Sequence, residues 1–450
     1  MSKSNGSGAD TSRWHDDYEA FHKDDAVGVP RWARKLRDRA IARFGELGIP
    51  TTRNEDWHFT SAAPIVEASF SALRSASGAV RPDELAPFRF GQPGWPTLVF
   101  VNGRYDASLS SVARLPQGLT LVPLAEAWSS HEELLERHLG KIAPADDQTF
   151  TALNAAFAYD GALVVVGKEM EIEEPVHLVF VTDSNAAKGA MHPRILIVAE
   201  RHSKATVIES WVTTGEANYF TNVVTEVDVA DGATLNHLRI QRESPRAFHV
   251  ATVQARQGRD SHFLSFSFAT GAALSRTNVY TTLAGEGCGA TLNGLYMLDS
   301  EQHCDHQTRI EHAQPNCFSR EVYKGILDGD SHGVFNGKVY VHPIAQKTDG
   351  KQTNNTLLLS ERARMDTKPQ LEIFADDVKC THGATVGRLD ETSLFYMKSR
   401  GINARTAREL LTYAFAADVL ETIEVAPIRE GLEALTLERF AGTELSGSGR

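Results

Sequence analysis

The chain has 450 residues, enough to bury a large core and to form more than one structural unit. Its 46 lysine and arginine residues against 58 aspartate and glutamate residues give a formal charge of −12, which argues against a protein that binds the nucleic-acid backbone. The four cysteines are irregularly spaced and do not form a disulfide framework, so free thiols in a reducing compartment are expected.

The N-terminal part begins without an apolar stretch. Residues 1–25 are predicted to be a disordered tail on composition, with no secretory signal. Apolar residues then recur at helical spacing between Pro30 and Gly48, which predicts a helix. A strand is predicted at Thr97–Val101 and a helix over residues 124–139. Residues 26–159 are therefore assigned to an α/β helical region. No apolar run reaches membrane-spanning length, so a cytoplasmic protein without membrane contact is expected.

Residues 160–388 consist of short β-type segments that repeat at a nearly constant period. The four-residue segments that begin at Ala205, Ala233, Ser261 and Ala290 are separated by 28, 28 and 29 residues, and ATLN occurs twice. Weaker copies begin at His332 and Arg364. Short β repeats cannot bury their apolar side chains alone, so stacking into a β-solenoid is predicted. A β-sandwich is the alternative, but it gives no reason for a repeated tetrapeptide.

The solenoid interior is expected to contain the alternating apolar residues of these repeats: Leu235, Leu238, Ile240, Leu292, Leu295 and Met297. Residues 389–450 are predicted to form a helical region. Asp390 and Asn403 are predicted to cap two helices that make a hairpin, with Gly401 between them. The first turns carry basic residues in an acidic chain, which indicates either a partner surface or a solvated face: Lys398, Arg400, Arg405 and Arg408.

Two segments resemble functional motifs, but the spacing of their residues does not match a phosphate-binding loop or a structural zinc site. The segment GVFNGK at 333–338 is one residue short of a phosphate-binding loop and is followed by Val339, so ATP hydrolysis at this loop is not expected. A second group could bind zinc or iron, but it lacks the paired spacing of a structural zinc site: His303, Cys304, Asp305, His306, His312 and Cys317. Along a strand, His303 and Asp305 would face away from Cys304 and His306, so packing and surface roles are favoured.

The pair Cys380 and His382 is more useful chemically. Residues two apart in a strand lie on the same face, so thiol and imidazole are expected side by side. Both groups bind iron, and Lys379 would raise the thiolate fraction of Cys380. A small buried cysteine without a functional role remains the alternative.

Several longer segments resemble the SufB/SufD family of the SUF iron–sulfur cluster assembly machinery. They occur in order from 54 to 401: NEDW at 54–57, EPVHLV at 174–179, YKGILDG at 323–329, GVFNGK at 333–338, AQKTD at 345–349, NTLLLS at 355–360, DTKPQLEI at 366–373, DDVKCTHG at 376–383 and LFYMKSRG at 394–401. The resemblance implies a mainly β protein with a right-handed parallel β-helix between an N-terminal helical region and a C-terminal helical hairpin.

The resemblance also implies a role without catalysis by this chain itself. It implies a scaffold that pairs with SufB through the β-helix, docks the ATPase SufC, and shares a transient iron–sulfur cluster or iron with SufB. His382 matches the family histidine that faces a SufB cysteine, and Cys380 accompanies it. Residues expected to meet the ATPase are Leu394, Phe395, Tyr396, Arg400, Gly401, Leu410 and Leu411. A flavin is linked to the assembled complex at family level, but no flavin motif is present.

Two alternative hypotheses assign the chain to other functional classes, an enzyme and a structural protein. An exported-type β-helix polysaccharide lyase or epimerase would need an export signal and has no need of the helical hairpin. A self-associating structural solenoid predicts homodimers that are indifferent to iron. Homodimers of the isolated chain would not separate the readings, because an exposed β-helix edge that awaits SufB can also pair with a second copy.

Overall fold

The computed structural model describes residues 11–24, 28–73, 78, 80–92 and 94–441. The helices of this part are α1 Ser12–Asp24, α2 Arg31–Leu47, α3 Ala63–Glu67, α4 Pro82–Leu85, α5 Leu124–Ser130, α6 Glu132–His138, α7 Thr149–Phe157, α8 Glu391–Ser399, α9 Ala404–Leu420 and α10 Ala426–Ala441. The strands are β1 Ser71–Ala72, β2 Thr97–Val101, β3 Arg104–Tyr105, β4 Leu119–Pro123, β5 Gly161–Val166, β6 Val176–Thr182, β7 Gly189–Met191, β8 Arg194–Ala199, β9 Lys204–Thr213, β10 Phe220–Val229, β11 Thr234–Arg242, β12 Phe248–Gln257, β13 His262–Ala269, β14 Leu274–Leu283, β15 Gly289–Leu298, β16 His303–His312, β17 Phe318–Leu327, β18 His332–Val341, β19 Asp349–Leu358, β20 Arg364–Ile373 and β21 Lys379–Gly387.

Successive strands alternate between two long sheets. One sheet has the order β20-β18-β16-β14-β12-β10-β8-β5-β4, and the other has the order β21-β19-β17-β15-β13-β11-β9-β6-β2-β3. Pairing is parallel from β5 and β6 onward, whereas β2–β3 and β4–β5 pair antiparallel. The predicted parallel β-helix is confirmed. Strands β2 and β4 of the N-terminal region extend its two sheets, so that region is continuous with the solenoid.

The register of the coils differs from the spacing of the repeated tetrapeptide. Ala290 stacks on Phe263, which stacks on Leu235, so the two ATLN segments are two residues out of line. The side-chain period of a strand is two, so this slip leaves the same residues on the inner face. The copies at His332 and Arg364 pair with each other but lie in the opposite sheet from the earlier copies.

Only some of the predicted interior residues lie inside the coils. Leu235 and Leu292 belong to the inner core. The others lie on the outer face of their sheet, beneath the C-terminal helices: Leu238, Ile240, Leu295 and Met297. Leu235 and Leu238 are three residues apart and therefore point to opposite faces of a strand.

The N-terminal helices cover the sheet that contains β10. Trp14, Tyr18 and Phe21 of α1 are each only 5% exposed and pack with Phe157 of α7. The prediction of a disordered tail over 1–25 is therefore wrong for α1, because this aromatic stripe at helical spacing outweighs the polar composition. Residues 1–10 and 25 lie outside the described residues. The helix predicted over 124–139 is interrupted at His131, which separates α5 from α6.

The C-terminal region contains three helices rather than a hairpin. Asp390 and Asn403 cap α8 and α9 as predicted, and α10 packs against α9. Together α9 and α10 cover the outer face of β15 and β17, where Lys324 Nζ donates to the carbonyl of Phe415 at 2.8 Å. Among the helices described, none is long and apolar enough to span a membrane.

Candidate functional site

The solenoid ends at β20 and β21 without a covering element. These are the last strands of the two sheets, and within the described ranges no further strand pairs with them. Strand β21 is exposed at every position except the half-buried Cys380. Large apolar side chains are exposed at the same end: Ile344 at 61%, Phe374 at 56% and Val386 at 46%. This end therefore offers unpaired backbone groups and apolar surface to another strand.

The structure places Cys380 and His382 on the inward-facing side of β21. Their register partners on β19 are Gly350 and Gln352, which are buried, whereas Lys351 between them is exposed. Residues opposite each other in a parallel ladder share a face, so both side chains continue the interior of the solenoid at its open end. His382 is exposed there because no coil follows.

Cys380 is less reactive than its neighbours in sequence suggest. It packs against the cluster of Val339 and Val341, and burial raises the pKa of its thiol. The expectation that Lys379 increases the thiolate fraction is wrong, because loss of hydration dominates. A side-chain carbon at Gly350 would lie 3.4 Å from Cys380 Sγ, so the glycine gives the sulfur its space.

Two polar residues behind His382 were missed by sequence reasoning. Gln352 Nε2 donates to Glu321 Oε2 at 2.7 Å, and both residues are buried. Burial raises the pKa of Glu321 to about 7. In the ladder, Glu321 pairs with Gln352 and Gln352 pairs with His382. The only sequence signal is a polar residue at the same inward position of successive coils, which requires the correct register to recognise.

The histidines and cysteines from His303 to Cys317 are divided between the two faces of β16 and the turn that follows it. Cys304 Sγ and His306 Nε2 lie 3.5 Å apart inside the solenoid, and burial raises the pKa of Cys304 to about 12 and lowers that of His306 to about 4. On the outer face, Thr60 Oγ1 contacts His303 Nε2 at 2.9 Å and donates to Asp305 Oδ2 at 2.6 Å.

The remaining two members of that group are also packed. His312 Nε2 lies 2.9 Å from Ser319 Oγ, and Cys317 Sγ donates to the carbonyl of Gly285 at 3.4 Å. In the described part of the chain, no three potential ligands converge. The packing interpretation accounts for this group.

The helices predicted to meet an ATPase expose large apolar side chains. Phe395 is 72% exposed, Tyr396 58% and Leu410 44%. Arg400 lies over the Tyr396 ring at 5.3 Å, and Gly401 is exposed beside it. Leu411 is half-buried, and Leu394 is buried and so contributes to helix packing rather than to a contact surface.

Comparisons with known proteins indicate one family over most of the chain. Residues 180–415 match the family model described as SUF system FeS cluster assembly, SufBD core domain, and residues 11–178 match the SufBD protein N-terminal region. The chain is similar to the iron-sulfur cluster assembly protein SufD of Escherichia coli, with 34% identity over 97% of both chains. It is also similar to SufD of Bacillus subtilis, with 28% identity over 90% of this chain and 93% of the relative. An iron-sulfur cluster assembly SufBD family protein of Synechocystis is 34% identical over 87% of this chain and 88% of its own.

Proposed function

The chain belongs to the SufBD family of SUF-system iron–sulfur cluster assembly proteins, and on this basis we propose that it is a non-catalytic scaffold. Its open β-helix end pairs with a SufB subunit, and His382 is a ligand for iron or for a nascent cluster at that junction. The observation that carries this proposal is the uncovered last coil, with His382 at its inward-facing position. Iron and cluster are cargo that the scaffold releases.

The chemistry of His382 suits temporary binding. A neutral imidazole binds iron through one ring nitrogen and is released by protonation or displacement more readily than a thiolate. Cys380 is the second candidate ligand, but its raised pKa means that it must first lose a proton. A cysteine from the partner would supply the thiolate that this chain lacks at the junction.

The C-terminal helices are the proposed contact for a SufC ATPase. The exposed Phe395 and Tyr396 lie on α8, and α8 packs on α9, which is anchored to β15 and β17. A movement of a bound ATPase would therefore be transmitted through α8 and α9 to the sheet that ends in β21. ATP hydrolysis belongs to that partner, and any flavin belongs to the assembled complex.

The test is anaerobic reconstitution of the complex from this chain, SufB and SufC, followed by an absorption spectrum. His382→Ala is expected to keep the stoichiometric complex and lose cluster absorption. Thr381→Ala is the matched control, because Thr381 is the exposed neighbour on the other face of β21. Normal cluster absorption in His382→Ala refutes the ligand role, and loss of the complex shows that His382 serves docking instead.

The open end also favours self-pairing as a second candidate function. Unpaired strand edges with exposed apolar side chains can join two copies of this chain. A structural solenoid would remain a homodimer when SufB is added. Light scattering of the chain with and without SufB separates the two functions, since the scaffold is expected to exchange its copy for SufB.

A further inference from the structure

A polar column leads from the solenoid interior to His382. Glu321 of β17, Gln352 of β19 and His382 of β21 are directly opposite one another in the parallel ladder. Adjacent strands lie about 4.8 Å apart, so each side chain lies over the next. Glu321 is 1% exposed and Gln352 2%, whereas His382 is exposed. The column thus runs from a buried carboxylate to the surface that the proposed function assigns to iron.

The inner end of this column is fixed in place. Gln352 Nε2 donates to Glu321 Oε2 at 2.7 Å. A side-chain carbon at Gly337 would lie 2.2 Å from Gln352 Nε2, so the facing strand leaves room for this amide. Among the described residues, no lysine or arginine forms an ion pair with Glu321. Thr308 also faces this carboxyl, so Gln352 is one of two polar side chains that contact the buried acid.

The carboxylate determines how the amide of Gln352 is turned. Above its pKa of about 7 the carboxyl of Glu321 is ionised and only accepts hydrogen bonds, so the NH₂ group of Gln352 must then face Glu321. The amide oxygen Oε1 then points away from the carboxylate, and within the described part of the chain this buried atom has no hydrogen-bond partner. A buried acceptor without a donor is costly, and His382 is the next residue along the column.

We propose that Gln352 Oε1 accepts the N–H of one His382 ring nitrogen and so leaves the lone pair of the other nitrogen facing the open end. Glu321 and Gln352 are then positioning residues that select the ligating tautomer of His382. This inference rests on the proposed function and adds the residues that prepare its ligand. A second ring nitrogen held by an amide or carboxylate is a common arrangement for histidines that bind metal.

The reverse orientation of the amide would disable the site. If Gln352 presented its NH₂ group outward, it would donate to a ring nitrogen and place the imidazole proton on the outward nitrogen. That nitrogen would have no lone pair for iron. The buried carboxylate is the group that prevents this reversal.

The direct test is the nitrogen-15 spectrum of the imidazoles in selectively labelled chain at pH 8. His382→Ala identifies the His382 signals. In the unsubstituted chain, His382 is expected to show one dominant tautomer. Gln352→Leu and Glu321→Gln are each expected to give a mixture, the first because the acceptor is lost and the second because an amide can also donate. Asn354→Leu is the matched control, since it removes a buried amide from the same strand whose register partner is Ala384.

A mixture in the unsubstituted chain, or one unchanged tautomer in both variants, overturns the proposal. Glu321→Gln keeps the shape of the side chain, so the tautomer of His382 can still be measured in that variant if Gln352→Leu fails to fold. In the reconstituted complex, loss of the positioning residues is expected to lower cluster formation about 10-fold, while Asn354→Leu changes it little. The two proposals can fail separately. If Gln352→Leu and Glu321→Gln change the tautomer of His382 but His382→Ala still forms the cluster normally, the proposed function is refuted and the positioning role of Glu321 and Gln352 is retained.

Discussion

The most direct test of the electrostatics inside the solenoid is the substitution Glu321→Gln. Burial raises the pKa of this carboxyl from 4.5 to about 7. A difference of this size between the folded and unfolded chain corresponds to about 3 kcal/mol. Since the folded pKa is the higher one, the native state binds the proton more tightly than the unfolded chain does, and the carboxyl is ionised only above about pH 7. The cost of the buried charge is absent below pH 4.5 and complete above about pH 7.

Glu321→Gln removes this cost and keeps an acceptor for Gln352. We expect it to raise the free energy of unfolding by about 3 kcal/mol at pH 8.5, and by less than about 1 kcal/mol at pH 5. Urea unfolding followed by circular dichroism at both pH values measures the difference. Buried histidines such as His306, with a pKa lowered to about 4, destabilise the unsubstituted chain and Glu321→Gln equally in acid. Their contribution therefore cancels in the difference between the two. An equal gain at the two pH values, or a loss at pH 8.5, would refute the reasoning.

Three further predictions concern α1, Cys380 and α8. Trp14→Ala is expected to lower the free energy of unfolding by about 3 kcal/mol because Trp14 is buried. Glu19→Ala, on the exposed side of α1, is expected to change it little. Equal effects of the two substitutions would mean that α1 does not pack as described. At pH 7.5 iodoacetamide should modify Cys380 more slowly than free cysteine, and the three buried cysteines only after unfolding, as peptide mass spectrometry can show; rapid labelling of Cys380 would indicate a thiolate. Replacing Phe395 and Tyr396 together by Ala should change the free energy of unfolding by less than about 0.5 kcal/mol and abolish co-purification with SufC, and retained binding would place the ATPase contact elsewhere.

The sequence predicts elements whose signals are local. Helix α2, strand β2 and the caps of α8 and α9 follow from periodicity and from residues next to the ends of the elements. The shared face of Cys380 and His382 follows from their two-residue spacing. The ordered motifs between residues 54 and 401 resemble those of the SufB/SufD family, and the comparisons confirm this family.

Features that depend on the register of the coils could not be predicted. The corners between strands differ in length, so equal spacing in sequence does not mean equal position in the ladder. The repeated ATLN segment therefore suggested a register that is two residues away from the one observed. Glu321 and Gln352 are opposite His382 only in the observed register, so the column could not be found beforehand.

The two ends of the solenoid differ in a way that connects stability with function. At the closed end, strands from the N-terminal region complete the sheets, and the interior residues are apolar, including Val164, Leu178 and Ile197. At the open end, β19 has Gln352, Asn354 and Thr356 at inward positions and β21 has His382, although buried polar groups cost stability. Selection for stability alone would favour an apolar, covered end. Polar side chains that converge on an uncovered histidine are instead the arrangement expected where a partner completes the coil and the interior prepares a ligand for iron.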